Sequence, residues 1–257
     1  MAYYLGIDIG GTKIQAVVLS GLNRQKTKSF VISTSGNRKR FLKNLERLIR
    51  SVAAGKKLAG IGVGVPGVVD YKKGVLLKWP NLPFLKGWEF KKFFRKFAKE
   101  IKFDNDVNCF LRGEAEWGAG RGCKNLIGLA MGTGIGGGII INGKMYQGSH
   151  GSAAEFGHMV IDRNKTLEQL GAKKAFLKFG DRSKVIGIGV ANLINGFNPD
   201  KVILGGGGVV SGKVKIDTVR RIAKKYILSP IAKKTPIVKG GLGDSAQAIG
   251  AALLFKE

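Results

Sequence analysis

Three short runs carry the residue types from which phosphoryl chemistry is built: DIGGTK from Asp8 to Lys13, FDNDVN from Phe103 to Asn108, and GTGIGGG from Gly132 to Gly138. Two glycine turns offer backbone N–H groups to phosphate oxygens, and the acidic segment between them offers carboxylates. The chemistry expected is transfer of a phosphoryl group to a hydroxyl. In the first run Gly10 and Gly11 lack a Cβ and are free to take positive φ, and the Thr12 hydroxyl adds a donor. Asp8, at the strand end before the turn, is placed to hold magnesium directly or through water. An ordinary hairpin would explain GGT on its own; the carboxylate two residues earlier weakens that explanation. In the second run Gly132, Gly134, Gly136, Gly137 and Gly138 fall between apolar strands. Each interior glycine there costs about 0.5 to 1 kcal/mol relative to alanine. Close approach of phosphates, with Thr133 adding its hydroxyl, explains them better than a structural turn. The spacing matches neither GxxxxGK[ST] nor a GxGxxG that opens a helix, so neither a P-loop nor a dinucleotide fold is indicated.

The elements that must position these runs follow from periodicity. Tyr3 to Asp8 and Ala16 to Leu19 read as strands joined at Gly10–Thr12, with Phe30 to Ser33 continuing the meander. A helix over Arg38 to Ala54 precedes a strand from Ala59 to Val65 that stops at Pro66 and Gly67. Tyr71 to Trp88 reads as loop. A basic, aromatic helix follows, with Phe90, Phe93, Phe94, Phe97 and Ile101 as its inner face, and then a short strand from Ile101 to Phe103. The second half repeats the plan. Val107 to Glu116 and Ile186 to Phe197 have helical spacing, Asn125 to Met131 and Gly137 to Asn142 are strands, and Val202 to Leu204 is a short strand closed by Gly205 to Gly208. A last helix from about Ser245 to Phe255 carries the small residues that permit close packing. The expectation is an α/β protein of two lobes facing a cleft. Residues 1–104 would form the N-terminal lobe and 105–257 the C-terminal lobe, with the last helix packing back on the first.

The chain has 257 residues and 44% hydrophobic content, enough for a sizeable core. No apolar stretch approaches a membrane span, and Met1 to Gly6 lacks the pattern of a secretory signal, so a cytoplasmic protein with no membrane partner is expected. Cys109 and Cys123 are too few for a disulfide framework or a four-cysteine zinc site, and read as a helix-face thiol and a loop thiol. The formal charge of +27 is the compositional extreme. It admits a solvated basic surface, a polyanionic substrate such as polyphosphate, or nucleic acid. Basic residues interleave with apolar ones at helical spacing, which favours the solvated surface, and no nucleic-acid motif supports the last reading.

Six blocks together resemble the ROK family of sugar kinases and repressors, within the actin-like, hexokinase-like (ribonuclease H-like) ATPase fold. They are DIGGTK at Asp8, GVGVPG at Gly62, FDNDVN at Phe103, GTGIGGG at Gly132, GSAAEFGHM at Gly151 and NPDKVILGGG at Asn198, in family order across nearly the whole chain. The resemblance implies a fold of mixed sheets flanked by helices, and an ATP-dependent, magnesium-requiring kinase acting on a hexose, with glucose 6-phosphate as the leading product. It places Asp106 as the base that takes the sugar hydroxyl proton. Asn105, Glu155 and His158 become sugar contacts, with Asn81 helping to close that pocket. Asp8 with Gly10, Gly11, Thr12 and Lys13, and Gly132 with Thr133 and Gly134, would hold magnesium and phosphates; Gly206 and Gly207 would lie near the adenosine. A homodimer is the family expectation.

Simpler readings stand beside these. Asp104 and Asp106 could cap the helix that begins near Val107, the favoured reading for Asp104 but not for Asp106. His158 could be a satisfied core histidine, and His150 is read as a surface loop residue. Where most relatives carry a cysteine-rich zinc loop, this chain reads MVIDRNKTLEQLG, so no zinc site is expected; Glu168 would match the last sugar-binding glutamate of that motif. The alternatives to a glucokinase are a polyphosphate-dependent hexose kinase, a kinase of fructose, mannose or N-acetylmannosamine, and a non-catalytic sugar-binding or regulatory protein. Nothing precedes Tyr3 that would serve as the DNA-reading segment of the repressor branch, which argues against a transcription factor.

Overall fold

Alternating aliphatic residues make Tyr3–Ile9 (β1), Lys13–Ser20 (β2) and Ser29–Ser33 (β3) an antiparallel meander, whose register runs from Tyr3 opposite Ser20 to Ile9 opposite Ile14. The helix Arg38–Ala53 (α1) follows, then Leu58–Val65 (β4), the two-residue strands Val69–Asp70 (β5) and Val75–Leu76 (β6), a short helix at Phe90–Phe94 (α2), and Ala98–Asn105 (β7). β4 runs parallel to β1, and β7 parallel to β4, giving the sheet order β3-β2-β1-β4-β7. The computed structural model describes residues 2–23, 28–34, 36–67, 69–70, 75–76, 82–85, 88–175 and 181–256. It divides into two units, Met1–Gly113 with Ser149–Ser152 and Ser245–Glu257, and Glu114–Gly148 with Ala153–Asp244.

In the first unit α1 begins where the Asn37 side chain accepts the N–H groups of Lys39 and Arg40 at 2.9 and 3.3 Å, and ends at Ala54 in the left-handed region. Its buried residues Phe41, Leu45, Leu48, Ile49 and Val52 recur at three- and four-residue spacing and join the core of that sheet. The basic aromatic helix is shorter than its periodicity predicts. It stops at Phe94, and the chain from Ala98 extends as a long strand paired with β4 from Leu58 opposite Ala98 to Val65 opposite Asn105. Ladder pairing beside a buried strand outweighs local helical spacing. The predicted loop Tyr71 to Trp88 contains, among its described residues, β6 and a 3-10 turn at Pro83–Leu85.

The second unit repeats the topology. The helix Asp106–Trp117 (α3) leads out of β7 and belongs to the first unit up to Gly113; Leu126–Met131 (β8), Ile135–Ile141 (β9) and Lys144–Met145 (β10) form the meander of the second. Val160–Asp162 (β11) and Lys165–Thr166 (β12) form a hairpin whose two turn residues, Arg163 and Asn164, have positive φ of 30° and 67°. Leu167–Gly171 (α4), Ser183–Phe197 (α5), Lys201–Gly205 (β13), Gly207–Val210 (α6), Ile216–Tyr226 (α7) and Ile237–Lys239 (β14) complete it. Its sheet order is β10-β9-β8-β13-β14, with β13 parallel to both neighbours. Each unit therefore carries a three-stranded antiparallel meander extended by two parallel strands. The α/β class and mixed sheets expected from the sequence are present; β10, α4, α6, α7, the β11–β12 hairpin and β14 are additions that the sequence reading did not contain.

The last helix, Ala246–Ala252 (α8), and the 3-10 turn Leu253–Phe255 belong to the first unit. Their approach to β1, β4 and α3 depends on glycine. A Cβ on Gly6 would lie 1.9 Å from the Ala248 carbonyl oxygen, one on Gly62 1.8 Å from that of Ala251, and one on Gly250 1.7 Å from that of Cys109.

Candidate active site

Parallel pairing sets three positions in a row at the end of the first sheet: Asp8 of β1 opposite Gly64 of β4, and Gly64 opposite Asp104 of β7. Gly64 keeps this row open, because a Cβ there would stand 3.3 Å from Cys109 Sγ and 3.6 Å from Asp106 Cα, where α3 starts. Asp8 and Asp104 are buried, and Asp106 is half-buried. Burial, and then the charges of Asp104, Asp8 and Asp106, push the Cys109 thiol well above its ordinary value, with Arg112 opposing them. Asp8 and Asp104 at the ends of β1 and β7, with Asp106 opening α3, set three carboxyl groups at one end of this sheet.

Their roles separate on contact. Asp104 accepts from the Asn105 N–H at 2.7 Å, Asn108 Nδ2 at 2.9 Å and Arg112 Nη2 at 3.0 Å. It is a buried ion-pair partner of Arg112. The spacing of Asp104, Asn108 and Arg112, four residues apart twice over, is the signal that sequence reasoning passed over. Asn105 caps α3, its Oδ1 accepting from Val107 and Asn108 N–H at 2.8 and 3.4 Å while its Nδ2 donates to the Gly67 carbonyl at 3.1 Å. Asp106 Oδ1 lies 3.0 Å from the Val107 nitrogen. The first glycine turn closes as Gly10 N–H donates to the Lys13 carbonyl at 2.9 Å, and Thr34 Oγ1 donates to the Gly10 carbonyl at 2.7 Å. Neither Gly10 nor Gly11 takes the positive φ that the sequence reading gave as a reason for them. Gly11 and Thr12 are exposed at the tip, and Lys13 opens β2. Asn81 lies outside the described residues.

In the second unit the turn between β8 and β9 exposes Gly132 and Thr133. Gly134 serves a neighbour within the protein: Glu168 Oε2 accepts the Ile135 N–H at 2.7 Å, and a Cβ on Gly134 would fall 2.3 Å from that oxygen. Glu168 is held at the start of α4, which a reciprocal capping box of Thr166 and Gln169 closes. Gly137 and Gly157 seat the neighbouring 3-10 turn on β9, since a Cβ on Gly137 would meet the Ala154 carbonyl oxygen at 2.4 Å and one on Gly157 that of Ile135 at 2.0 Å. That turn, Phe156–His158, carries Glu155 and His158 on its exposed side, with His158 Nδ1 3.4 Å from Glu155 Oε2. His158 is thus no core histidine, and His150 is exposed as read. Ala154, just ahead, has φ of 67°, a left-handed conformation uncommon for alanine that aims this turn. Gly206, with φ of 81°, passes beside the Met131 backbone, so the Gly206–Gly207 corner adjoins the end of β8. One cluster therefore gathers Gly132, Thr133, Gly134, Glu155, His158, Glu168, Gly206 and Gly207. The other gathers Asp8, Gly10 to Lys13, Asn105 and Asp106.

Sequence reasoning also missed Glu114, fully buried in the second unit, whose carboxylate accepts the N–H groups of Ala119, Gly241 and Leu242 at 2.8 to 2.9 Å. Two of its donors lie more than a hundred residues away, and no local pattern announces them.

Known proteins resemble this chain in sequence and fold. The glucokinase of Thermotoga maritima is 26% identical over an alignment of 311 positions covering 98% of this chain and 97% of the relative, so the relative carries internal residues that this chain lacks. The N-acetyl-D-glucosamine kinase of Pectobacterium atrosepticum is 28% identical, covering 98% of each chain. The crystal structure of a ROK family glucokinase from Streptomyces griseus in complex with glucose and AMPPNP superposes with a TM-score of 0.86 at 25% identity, over 98% of this chain and 99% of that one. The model of the ROK family matches residues 4–174 and 167–257. The chain belongs to the ROK family and has the actin-like ATPase fold of its sugar kinases.

Proposed function

We propose that this protein is a sugar kinase that moves the γ-phosphoryl group of ATP to a hexose hydroxyl, with glucose as the leading acceptor. The observation that carries the reading is the row of carboxylates at the end of the first sheet. There Asp104 is consumed by Arg112 and Asn108, while Asp106 stands at the start of α3 next to an Asn105 fixed at both ends of its amide. Family membership over nearly the whole chain supports the same assignment.

Asp106 takes the proton of the attacking hydroxyl as its oxygen bonds to the γ-phosphorus and the bond to the β-phosphate bridging oxygen breaks, releasing ADP. Asn105 orients that hydroxyl, and Glu155, His158 and Glu168 contact the sugar. In the glycine turns the N–H groups of Gly11 and Thr12, and of Thr133 and Gly134, donate to the phosphates, while those of Gly10 and Gly132 close the turns on the Lys13 and Gly134 carbonyls; Lys13 adds charge, and Gly206 with Gly207 borders the adenosine. Asp8 suits magnesium: it is a hard oxygen donor at a buried strand end beside the first phosphate turn, and magnesium prefers one or two carboxylates with waters retained. Bound there, magnesium would neutralise charge on the phosphates.

The test is a phosphotransfer panel of glucose, mannose, fructose, N-acetylglucosamine and N-acetylmannosamine, with ATP and polyphosphate supplied separately. Asp106→Asn is expected to lower kcat by about a hundredfold to ten-thousandfold with fold and sugar affinity retained. Near wild-type turnover in that variant removes Asp106 as the base. The charge of +27 is the reason to include polyphosphate, and turnover with it in the absence of nucleotide is required of that second reading.

A further inference from the structure

Leu228 and Ile231 are the most exposed large apolar side chains among the described residues, at 87% and 81%, on the segment that follows α7 in the second unit. The backbone that presents them is anchored. Ile227 and Ala232 beside them are buried. The Leu228 N–H donates to Asn195 Oδ1 at 3.0 Å, and Asn195 Nδ2 donates to the Tyr226 carbonyl at 2.9 Å. The Ser229 carbonyl accepts from the Lys233 N–H at 3.0 Å, and its hydroxyl from that of Ala232 at 3.3 Å. A segment tied at both ends holds Leu228 and Ile231 outward by construction, with the exposed ring of Tyr226 next to them.

The charge around them has one sign. From Thr218 to Gly243 the sequence contains no Asp or Glu. Lys224, Lys233 and Lys234, with Arg220 and Ile227, line a groove of about 260 Å³ at the two ends of this segment, and Arg221 and Lys225 are exposed on the same helix. Arg220 is partly engaged by Asp217 at 2.9 Å and the Ile237 carbonyl at 2.7 Å; the lysines define the rim.

We propose that this face docks on an anionic bilayer surface, with the lysines meeting lipid headgroup phosphates and Leu228 and Ile231 entering the acyl boundary. A dissolved polyanion would use the cations and leave two apolar side chains in water. A second copy of the chain would bring the same basic rim against itself. An anionic bilayer answers both features, since basic residues near its surface are attracted and protruding apolar side chains gain by leaving water. The association is peripheral, because no helix among the described residues is long and apolar enough to cross a membrane.

The experiment is co-sedimentation of the full chain with phosphatidylcholine vesicles, with and without phosphatidylglycerol, alongside light scattering for oligomeric state. Binding to the anionic vesicles alone is expected. The double variant Leu228→Ser with Ile231→Ser should weaken it at least about tenfold while retaining its circular dichroism spectrum and sugar kinase turnover. The triple variant Lys224→Gln, Lys233→Gln and Lys234→Gln should weaken it and flatten its salt dependence, whereas Lys39→Gln with Lys43→Gln, on α1, should not. Absence of binding to anionic vesicles overturns the proposal. So does full retention by the double serine variant, or an effect of those serines on self-association alone.

Discussion

Cys109 lies buried beside the carboxyl groups at the end of the first sheet. Its thiol is fully buried, and that burial, then Asp104, Asp8 and Asp106, raise its pKa well above the ordinary value against the opposing Arg112. Two outcomes follow. A thiol reagent at mildly alkaline pH should modify the partly exposed Cys123 in the native protein and Cys109 only on unfolding; equal rates for both would contradict the burial. The sign of the pH effect follows from linkage. The unfolded thiol loses its proton near about pH 8.5 while the folded one keeps it, so this group's contribution falls as pH rises beyond the unfolded value. Cys109→Ala should flatten the alkaline decline of the unfolding midpoint. At this scale the sequence was legible where motif and backbone coincide, as for Asp8 at a strand end and Asp106 at a helix start. It was not legible for Asp104, whose meaning depends on Arg112 two helical turns on, nor for Gly134, which makes room for the carboxylate of Glu168.

Elements are held together here by missing side chains. α8 lies so close to β1, β4 and α3 that a Cβ at Gly6, Gly62 or Gly250 would fall within 2 Å of a backbone oxygen. Backbone cannot yield as a flexible side chain can. Gly250→Ala should therefore destabilise the protein by about 1 to 3 kcal/mol or more, although alanine is the better helix former by about 1 kcal/mol. Urea denaturation measures this, and a stabilised or unchanged variant would show that the helix can shift outward without loss. The small residues of α8 were readable as close packing, but their partners were not, since those lie far away in sequence. The same limit explains β7. Its residues carry helical spacing up to Ile101, and only the pairing with β4, set by the rest of the sheet, decides that Ala98 onward is strand. The first meander and the β8–β9 pair were readable because hairpins are local; β10, β14 and α7 were passed over, α7 although Val219, Ile222 and Ala223 recur at helical spacing among its basic residues.

At the scale of the whole molecule, 44 basic residues face 17 acidic ones, and several of those acids are already committed. Asp104 pairs with Arg112 in the interior, Glu114 is spent on three backbone N–H groups, and Glu46, Glu89 and Asp217 pair with neighbours on their own helices or caps. The exposed pairs contribute little, about 0 to 1 kcal/mol each, and salt screens them. What remains is repulsion among cations spread over outer helical faces such as that of α1, where Arg38, Lys39, Arg40, Lys43 and Arg47 are exposed and only Glu46 opposes them. Repulsion of this kind acts over the Debye length, about 30 Å at 0.01 M salt and about 8 Å at 0.15 M, and it weakens as the chain expands on unfolding. Added salt should therefore raise the thermal midpoint of this protein over that range, the reverse of what screening a surface held by ion pairs would do. Sulfate should act more strongly than chloride at equal ionic strength, because its exclusion from the surface also favours burial. A midpoint that falls with salt would mean that networks of attraction, rather than the excess of positive charge, dominate the folded surface.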